Sequence, residues 1–353
     1  MKIRLGLLDR DAVYLNRLST TFSAKYADKV EVYAFTDANT AMEMATAAEI
    51  AVFLADPGFE IDPGQLPEKC GFAYLVPSAG VDAVNGNRAI CKYQKVDIIY
   101  KQILDLFSDN SSAFSVHQEG NEQCQLLIFA SPCGGTGTST MAAACAIHLA
   151  RKGKRVLYLN LEKLGASDVF FRGDGQGNFG DIIYAMKSRK ANLALKIESC
   201  VRCDAHGVHF YAPAKIALDM LELTGEETQE LFRILKSSAA YDFIIVDMDF
   251  QIRQDTIDLL RQGDALVWVG DGSELSNSKI VRAYDSLAAL EQSGACPLLS
   301  RIRLIYNRFS NKTGKTISDV PLNSIGGTHR MEHATSMQIL EQLATLTLFD
   351  QIL

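Results

Sequence analysis

The stretch QLLIFASPCGGTGTSTMAAACAIHLARKG, residues 125–153, decides how this 353-residue chain is read. It opens on an apolar strand-type run, QLLIFA (125–130), turns through a glycine-rich segment and continues as an amphipathic helical pattern. In that setting Gly134, Gly135 and Gly137 let the backbone curl so that several N–H groups point inward. The start of the helix adds its dipole, and the result is a nest for phosphate oxygens. A glycine-rich strand-to-helix turn also serves as a plain tight connection, so the choice rests on what accompanies it. The standard phosphate loop reads GxxxxGK[ST]. Here Thr138 stands at the lysine position, Ser139 keeps a hydroxyl able to meet Mg²⁺, and Thr140 can support the loop.

The accompanying residues favour the phosphate reading. KRVLYLNLEK (154–163) places Asn160 and Glu162 at the end of a second strand, near the sheet edge where ligands bind; Glu162 can orient a water or a metal-bound water. YDFIIVDMD (241–249) is an apolar strand ending in Asp247, the pattern by which a carboxylate reaches Mg²⁺ directly or through water. RIRLIYNR (301–308) brings another buried strand to its end at Asn307, whose amide can read an adenine edge. With VHFYAP (208–213) and ALVWVG (265–270), these runs make a series of buried strands divided by helical segments.

A separate α/β rhythm precedes them. IRLGLL, VEVYAF, IAVFLA, FAYLV and RAIC alternate with helix-like stretches through residue 108, and the polar SDNSSAFSVHQEGNEQ (108–123) divides the two series. The expected organisation is two doubly wound parallel-sheet domains, 1–108 and 124–353, joined by a linker at 109–123. The first has the layout of a receiver: Asp9 and Asp11 close one strand, Asp56 ends the third, Ser78 follows the fourth and Lys92 the fifth. In VPSAGVDAVNGNRAI (76–90), however, about ten residues separate the last two strands, fewer than the roughly twelve a helical crossover needs. A remodelled signalling face, serving as a docking or dimer surface, is preferred to a phosphoacceptor at Asp56.

On these residues the chain resembles the ParA/MinD superfamily of deviant Walker ATPases, and within it the TadZ/CpaE branch, which couples a receiver-like domain to the ATPase domain. The resemblance implies a loop KGGxGK[ST]T; this chain has CGGTGTST, so the two superfamily lysines fall on Cys133 and Thr138. It assigns ATP to Cys133, Gly134, Gly135, Thr136, Gly137, Thr138, Ser139, Thr140 and Asn307. Mg²⁺ goes to Ser139 and Asp247, and the catalytic positions to Glu162 and Asp247. The superfamily's aspartate pair becomes Asn160 and Glu162, which weakens hydrolysis more than binding. Also implied are a homodimer, pilus-assembly partners and slow or absent turnover. The rivals are an ATPase switch using a relocated lysine, with Lys163 and Lys279 as the residues to watch, and a nucleotide-independent interaction protein.

Composition bounds these readings. A net charge of −7 opposes binding to nucleic acid, and 48% hydrophobic with 22% charged residues suits packed domains. The N-terminal MKIRLGLLDRD turns acidic too early for a secretory segment, and no apolar run spans a membrane, so a cytoplasmic protein recruited by partners to a cell pole or the membrane face is expected. The eight cysteines are scattered and read as reduced thiols. Cys200, Cys203, His206 and His209 lack the ligand spacing of a zinc site. In SMQILEQLATLTLFDQIL (336–353) the apolar face lacks the basic flank of a membrane helix and reads as a core-docking or dimer element.

Overall fold

The computed structural model describes residues 2–110, 124–188, 192–292 and 297–353. Most of the expected linker, 111–123, lies outside the described residues. The described chain divides into two compact units, one holding residues of Met1–Val116 and Ala185–Cys200, the other those of His117–Tyr184 and Val201–Leu353.

The first unit is built on β1 (Ile3–Leu8), β2 (Val30–Phe35), β3 (Val52–Ala55), β4 (Gly71–Val76), β5 (Ala83–Val84) and β6 (Asn87–Cys91) in the order β2-β1-β3-β4-β6-β5. All pairings are parallel except that of the short edge strand β5. Helix α1 (Ala12–Lys25) starts where the Asp11 carboxylate accepts the N–H groups of Val13 and Tyr14, and it buries Leu15, Leu18 and Phe22 at helical spacing. With α3 (Val96–Asn110) it covers one face of the sheet, while α2 (Ala38–Ala47) packs on the other through Ala41 and Ala45.

Between β4 and β6 there is no helix. The chain makes a hairpin through Asn85 (φ +50°) and Gly86 (φ +79°), the pair of left-handed residues that a tight primed turn demands. The shortness of VPSAGVDAVNGNRAI thus has its structural counterpart. A helix from later in the chain, Leu193–Cys200, joins this unit against α3: Lys196 and Arg88 both pair with Asp105, and Lys29 meets Glu198 at 2.6 Å. Nothing in the pattern of alternating runs signalled that return.

The second unit carries β7 (Gln125–Phe129), β8 (Val156–Asn160), β9 (Arg202–Cys203), β10 (Val208–Phe210), β11 (Phe243–Asp247), β12 (Ala265–Gly270), β13 (Ile302–Phe309) and β14 (Asn323–His329). Their order is β14-β13-β12-β7-β11-β8-β10-β9, parallel throughout except for β9. Helix α4 (Thr138–Arg151) runs from the glycine loop through the core, with Met141 to Leu149 buried all round. It meets the C-terminal segment, whose Leu340, Leu343, Leu348, Phe349 and Ile352 enter the same core. Each fully buried side chain of this size contributes about 1.5–3 kcal/mol, so the segment is a docked core element. The His148 ring fixes it, its two nitrogens meeting Ala344 O at 3.1 Å and Asp350 Oδ1 at 2.9 Å. The sequence runs missed β14, NSIGGTH, a polar and glycine-bearing edge strand without an apolar signal. The α/β class with two parallel-dominated sheets is as expected. Among the described residues no helix is long and apolar enough to cross a membrane.

Candidate functional site

Parallel register gathers the candidate residues. Phe129 of β7 pairs with Asp247 of β11, and Asp247 in turn with Asn160 of β8, so the loop after β7 and both acidic strand ends share one edge of the sheet. The loop holds its own shape. Ser131 Oγ donates to Val269 O at 2.6 Å, the Cys133 N–H donates to Ser131 Oγ at 3.1 Å, and Thr136 Oγ1 donates to Cys133 O at 3.1 Å. Gly135 and Gly137 have φ of +80° and +87°. A Cβ on Gly137 would stand 2.4 Å from Asn307 Nδ2, so backbone freedom and close approach both require glycine there. Gly137 precedes α4 with no side chain on the first-turn N–H groups, which leaves these donors to an anion.

Beside the loop is a buried acidic network. Ser139 Oγ donates to Glu162 Oε1 at 3.1 Å, and the Tyr158 hydroxyl donates to Asp247 Oδ2 at 2.7 Å. The Asn160 amide lies between the acids, its Nδ2 3.1 Å from both Asp247 Oδ2 and Glu162 Oε2, and its Oδ1 accepts the Glu162 N–H at 3.1 Å. Asp247 is fully buried, and its Oδ1 has no hydrogen-bond partner. Burial first, and the Glu162 charge second, push the Asp247 carboxyl up to about 8. An orphaned carboxylate oxygen, a neighbouring acid and a serine hydroxyl are the donor set of a hard divalent cation. No group of three His, Cys, Asp or Glu side chains suited to a metal forms among the described residues. A cation held by Ser139 and Asp247 would therefore draw its remaining oxygens from phosphate and water.

Asn307 is buried, and its Nδ2 donates to Thr136 O at 2.7 Å, bracing the loop. Lys163 is turned away: its Nζ donates to Met220 O at 2.8 Å, across a cleft that Asn160, Glu162 and Tyr211 also line.

In the first unit Lys92 Nζ sits 2.6 Å from Asp9 Oδ2 and 2.5 Å from Asp56 Oδ2. Burial opposes both charges, yet the bonds to Lys92 and to the Gly58 N–H hold Asp56 below the usual carboxylate range, and the two acids hold Lys92 above its own. Asp11 is spent on the cap of α1, and Ser78 is exposed beyond the end of β4.

Among known families, residues 1–108 match the model of the TadZ-like receiver domain. The first 108 residues are a TadZ-like receiver domain. For the rest of the chain, a ParA family ATPase from Chlorobium tepidum TLS has the same fold, with 22% identity over 66% of this chain and 97% of that one and a TM-score of 0.52. The cell division ATPase MinD of Pyrococcus furiosus aligns at 14% identity over 65% of this chain and 99% of its own, with a TM-score of 0.44. A Rhizobium rhizogenes protein described as replication protein A is 22% identical over 258 residues, and the chain spans 63% of that protein's length.

Downstream of the TadZ-like receiver domain the expected site residues lie around one sheet edge. Asn160 bridges Glu162 and Asp247, Ser139 donates to Glu162, and Asn307 donates to Thr136 O of the loop Cys133–Thr140. Two further residues belong with them, of which sequence reasoning passed over Tyr158. Tyr158 lies two positions before Asn160 in β8 and so on the same face, a period that could have identified it. Arg308, which in the sequence belongs with Arg301 and Arg303 to a set that reads as solvated or phosphate-proximal, donates from Nη1 to Gly135 O at 3.2 Å. His206 bonds Asp204 and Glu341, each at 2.7 Å, and Cys200 is buried while Cys203 is exposed.

Proposed function

We propose that this protein is an ATP-dependent localisation scaffold for tight-adherence pilus machinery, with weak or absent hydrolysis. The observation that carries the reading is the loop itself: left-handed Gly135 and Gly137, open backbone donors at the start of α4, and the unpaired Asp247 Oδ1 beside Ser139, with Cys133 and Thr138 where charge would be needed for turnover. The TadZ-like receiver domain supports the pilus assignment. In this reading Cys133–Thr140 hold the phosphates, Asn307 faces the base, and Ser139 and Asp247 hold Mg²⁺, whose charge neutralises phosphate oxygens when bound. The chain's own groups do the rest. Asn160 keeps Glu162 and Asp247 at fixed separation, and Tyr158 orients Asp247.

Each missing charge-assisted contact to phosphate weakens the site by about 1.5–3 kcal/mol, while the backbone nest is retained. Binding is therefore the output, and nucleotide shifts assembly by its differential affinity for the dimer. Titration of nucleotide-free protein with Mg·ATP, following bound nucleotide, oligomer mass and released phosphate together, tests this. Binding with a mass increase and negligible phosphate is expected. Sustained phosphate release would make the protein a switch, and absence of binding would remove the nucleotide from its function.

A further inference from the structure

The loop has neither of the two lysines, yet a cation stands against it. Arg308 lies in β13, where the pairing with β14 breaks register between Tyr306 and Phe309. Bulges of this kind re-aim side chains beside functional sites. Its φ is +57°, a left-handed conformation that a long side chain rarely adopts and that surrounding structure must impose. The guanidinium is thereby laid on the loop. Nη1 donates to Gly135 O at 3.2 Å, and Nη2 is 3.7 Å from the place a Cβ on Gly137 would occupy. Among the described residues no carboxylate pairs with Arg308, and the side chain is exposed. A guanidinium has five N–H donors in a planar fork and keeps its charge at every working pH. One of them serves Gly135 here, and the others are available to an anion over the loop.

We infer that Arg308 is the phosphate-binding cation of this site, supplied from β13 in place of the loop lysines, for a nucleoside di- or triphosphate. The inference rests on the nucleotide reading above and adds to it the residue that grips the charge. Lys163, one of the lysines to watch, is committed to Met220 O, whereas Arg308 already touches the loop.

The test is calorimetric titration of full-length, nucleotide-free protein with Mg·ATP and Mg·ADP, for wild type, Arg308→Ala, Arg308→Gln and Arg308→Lys, alongside thermal melting without nucleotide. Loss of one charged hydrogen-bonding partner weakens binding roughly 10- to 100-fold. That loss is expected for Arg308→Ala and Arg308→Gln, with Arg308→Lys retaining part of the affinity and all four proteins melting alike. Arg308→Gln is decisive, because glutamine can still donate to Gly135 O but carries no charge. Binding by Arg308→Gln within twofold of wild type would reduce Arg308 to a brace for the loop and overturn the proposal. A wild type that binds neither nucleotide would overturn the nucleotide reading together with it.

Discussion

Replacing Asp247 by asparagine should make the protein without nucleotide more stable while abolishing its response to Mg·ATP. The carboxyl is fully exposed to the cost of burial: it has no surface access, one orphaned oxygen, and Glu162 as a like-charged neighbour. Folding lifts it from an ordinary aspartate value of 3.8 to about 8. Carrying a proton up to neutral pH costs about 1.4 kcal/mol per pH unit, so at pH 7 the folded protein loses at most about 4 kcal/mol to this one group. The sign follows from the direction of the shift. Its stabilising contribution is complete below 3.8 and disappears as pH rises through about 8. Asparagine keeps an acceptor for the Tyr158 hydroxyl and removes the charge. The melting temperature of Asp247→Asn should therefore exceed that of wild type at pH 8, by about 2–4 °C per kcal/mol for a unit of this size, and the two should converge below pH 4. Saturating Mg·ATP, at a hundredfold over its dissociation constant, should add about 2.7 kcal/mol to wild type and nothing to the variant. Differential scanning fluorimetry across pH, with and without Mg·ATP, reads both effects. A variant that melts below wild type at pH 8, or a gap that does not change with pH, would refute the electrostatic argument; a retained nucleotide response would refute the metal role.

Lys92→Met should destabilise the receiver unit by about 3–5 kcal/mol, because it leaves Asp9 buried without a counter-charge; urea denaturation should show part of this recovered in Asp9→Asn/Lys92→Met. Gly137→Ala combines a left-handed φ with a Cβ 2.4 Å from Asn307 Nδ2, and it should eliminate the Mg·ATP-induced melting shift at a cost of about 1–2 kcal/mol to the protein without nucleotide. For His206, burial disfavours the charged ring, but Asp204 and Glu341 outweigh it and raise the value. Its stabilising contribution is therefore present in mildly acidic solution and lost as pH rises through the raised value, so the melting-temperature difference between wild type and His206→Asn should shrink from pH 6 to pH 9.

The parts of the fold with a local physical signature were legible in the sequence. Apolar runs such as IAVFLA and FIIVD became central parallel strands because only burial on both faces suits them. The hairpin at Asn85–Gly86 was announced by a segment too short for a crossover helix. What escaped had no such signature. β14 is held by its place beside β13, with Gly326 and Gly327 where an apolar run would be expected. The helix Leu193–Cys200 is committed to the receiver unit by Lys196 and Asp105, ninety-one positions apart, a distance over which pattern reading has no reach.

The same division runs through the site. The glycine loop and the Asp247 strand end are local and readable, but Tyr158 and Asp247 are eighty-nine positions apart and meet only through the register of β8 on β11. That register also sets the charge balance of the site. An acid at 160 would bring a third carboxylate beside Glu162 and Asp247. It would stand between two others already close enough for one amide nitrogen to touch both. An amide at Asn160 turns that position from a source of repulsion into a donor to each neighbour, burial keeps Asp247 largely protonated at neutral pH, and Arg308 brings one permanent cation to the loop. On the proposed reading these groups would hold a metal and a phosphate, with the loop lysines that would drive a transition state replaced by Cys133 and Thr138, which is the balance expected of a site shaped for binding.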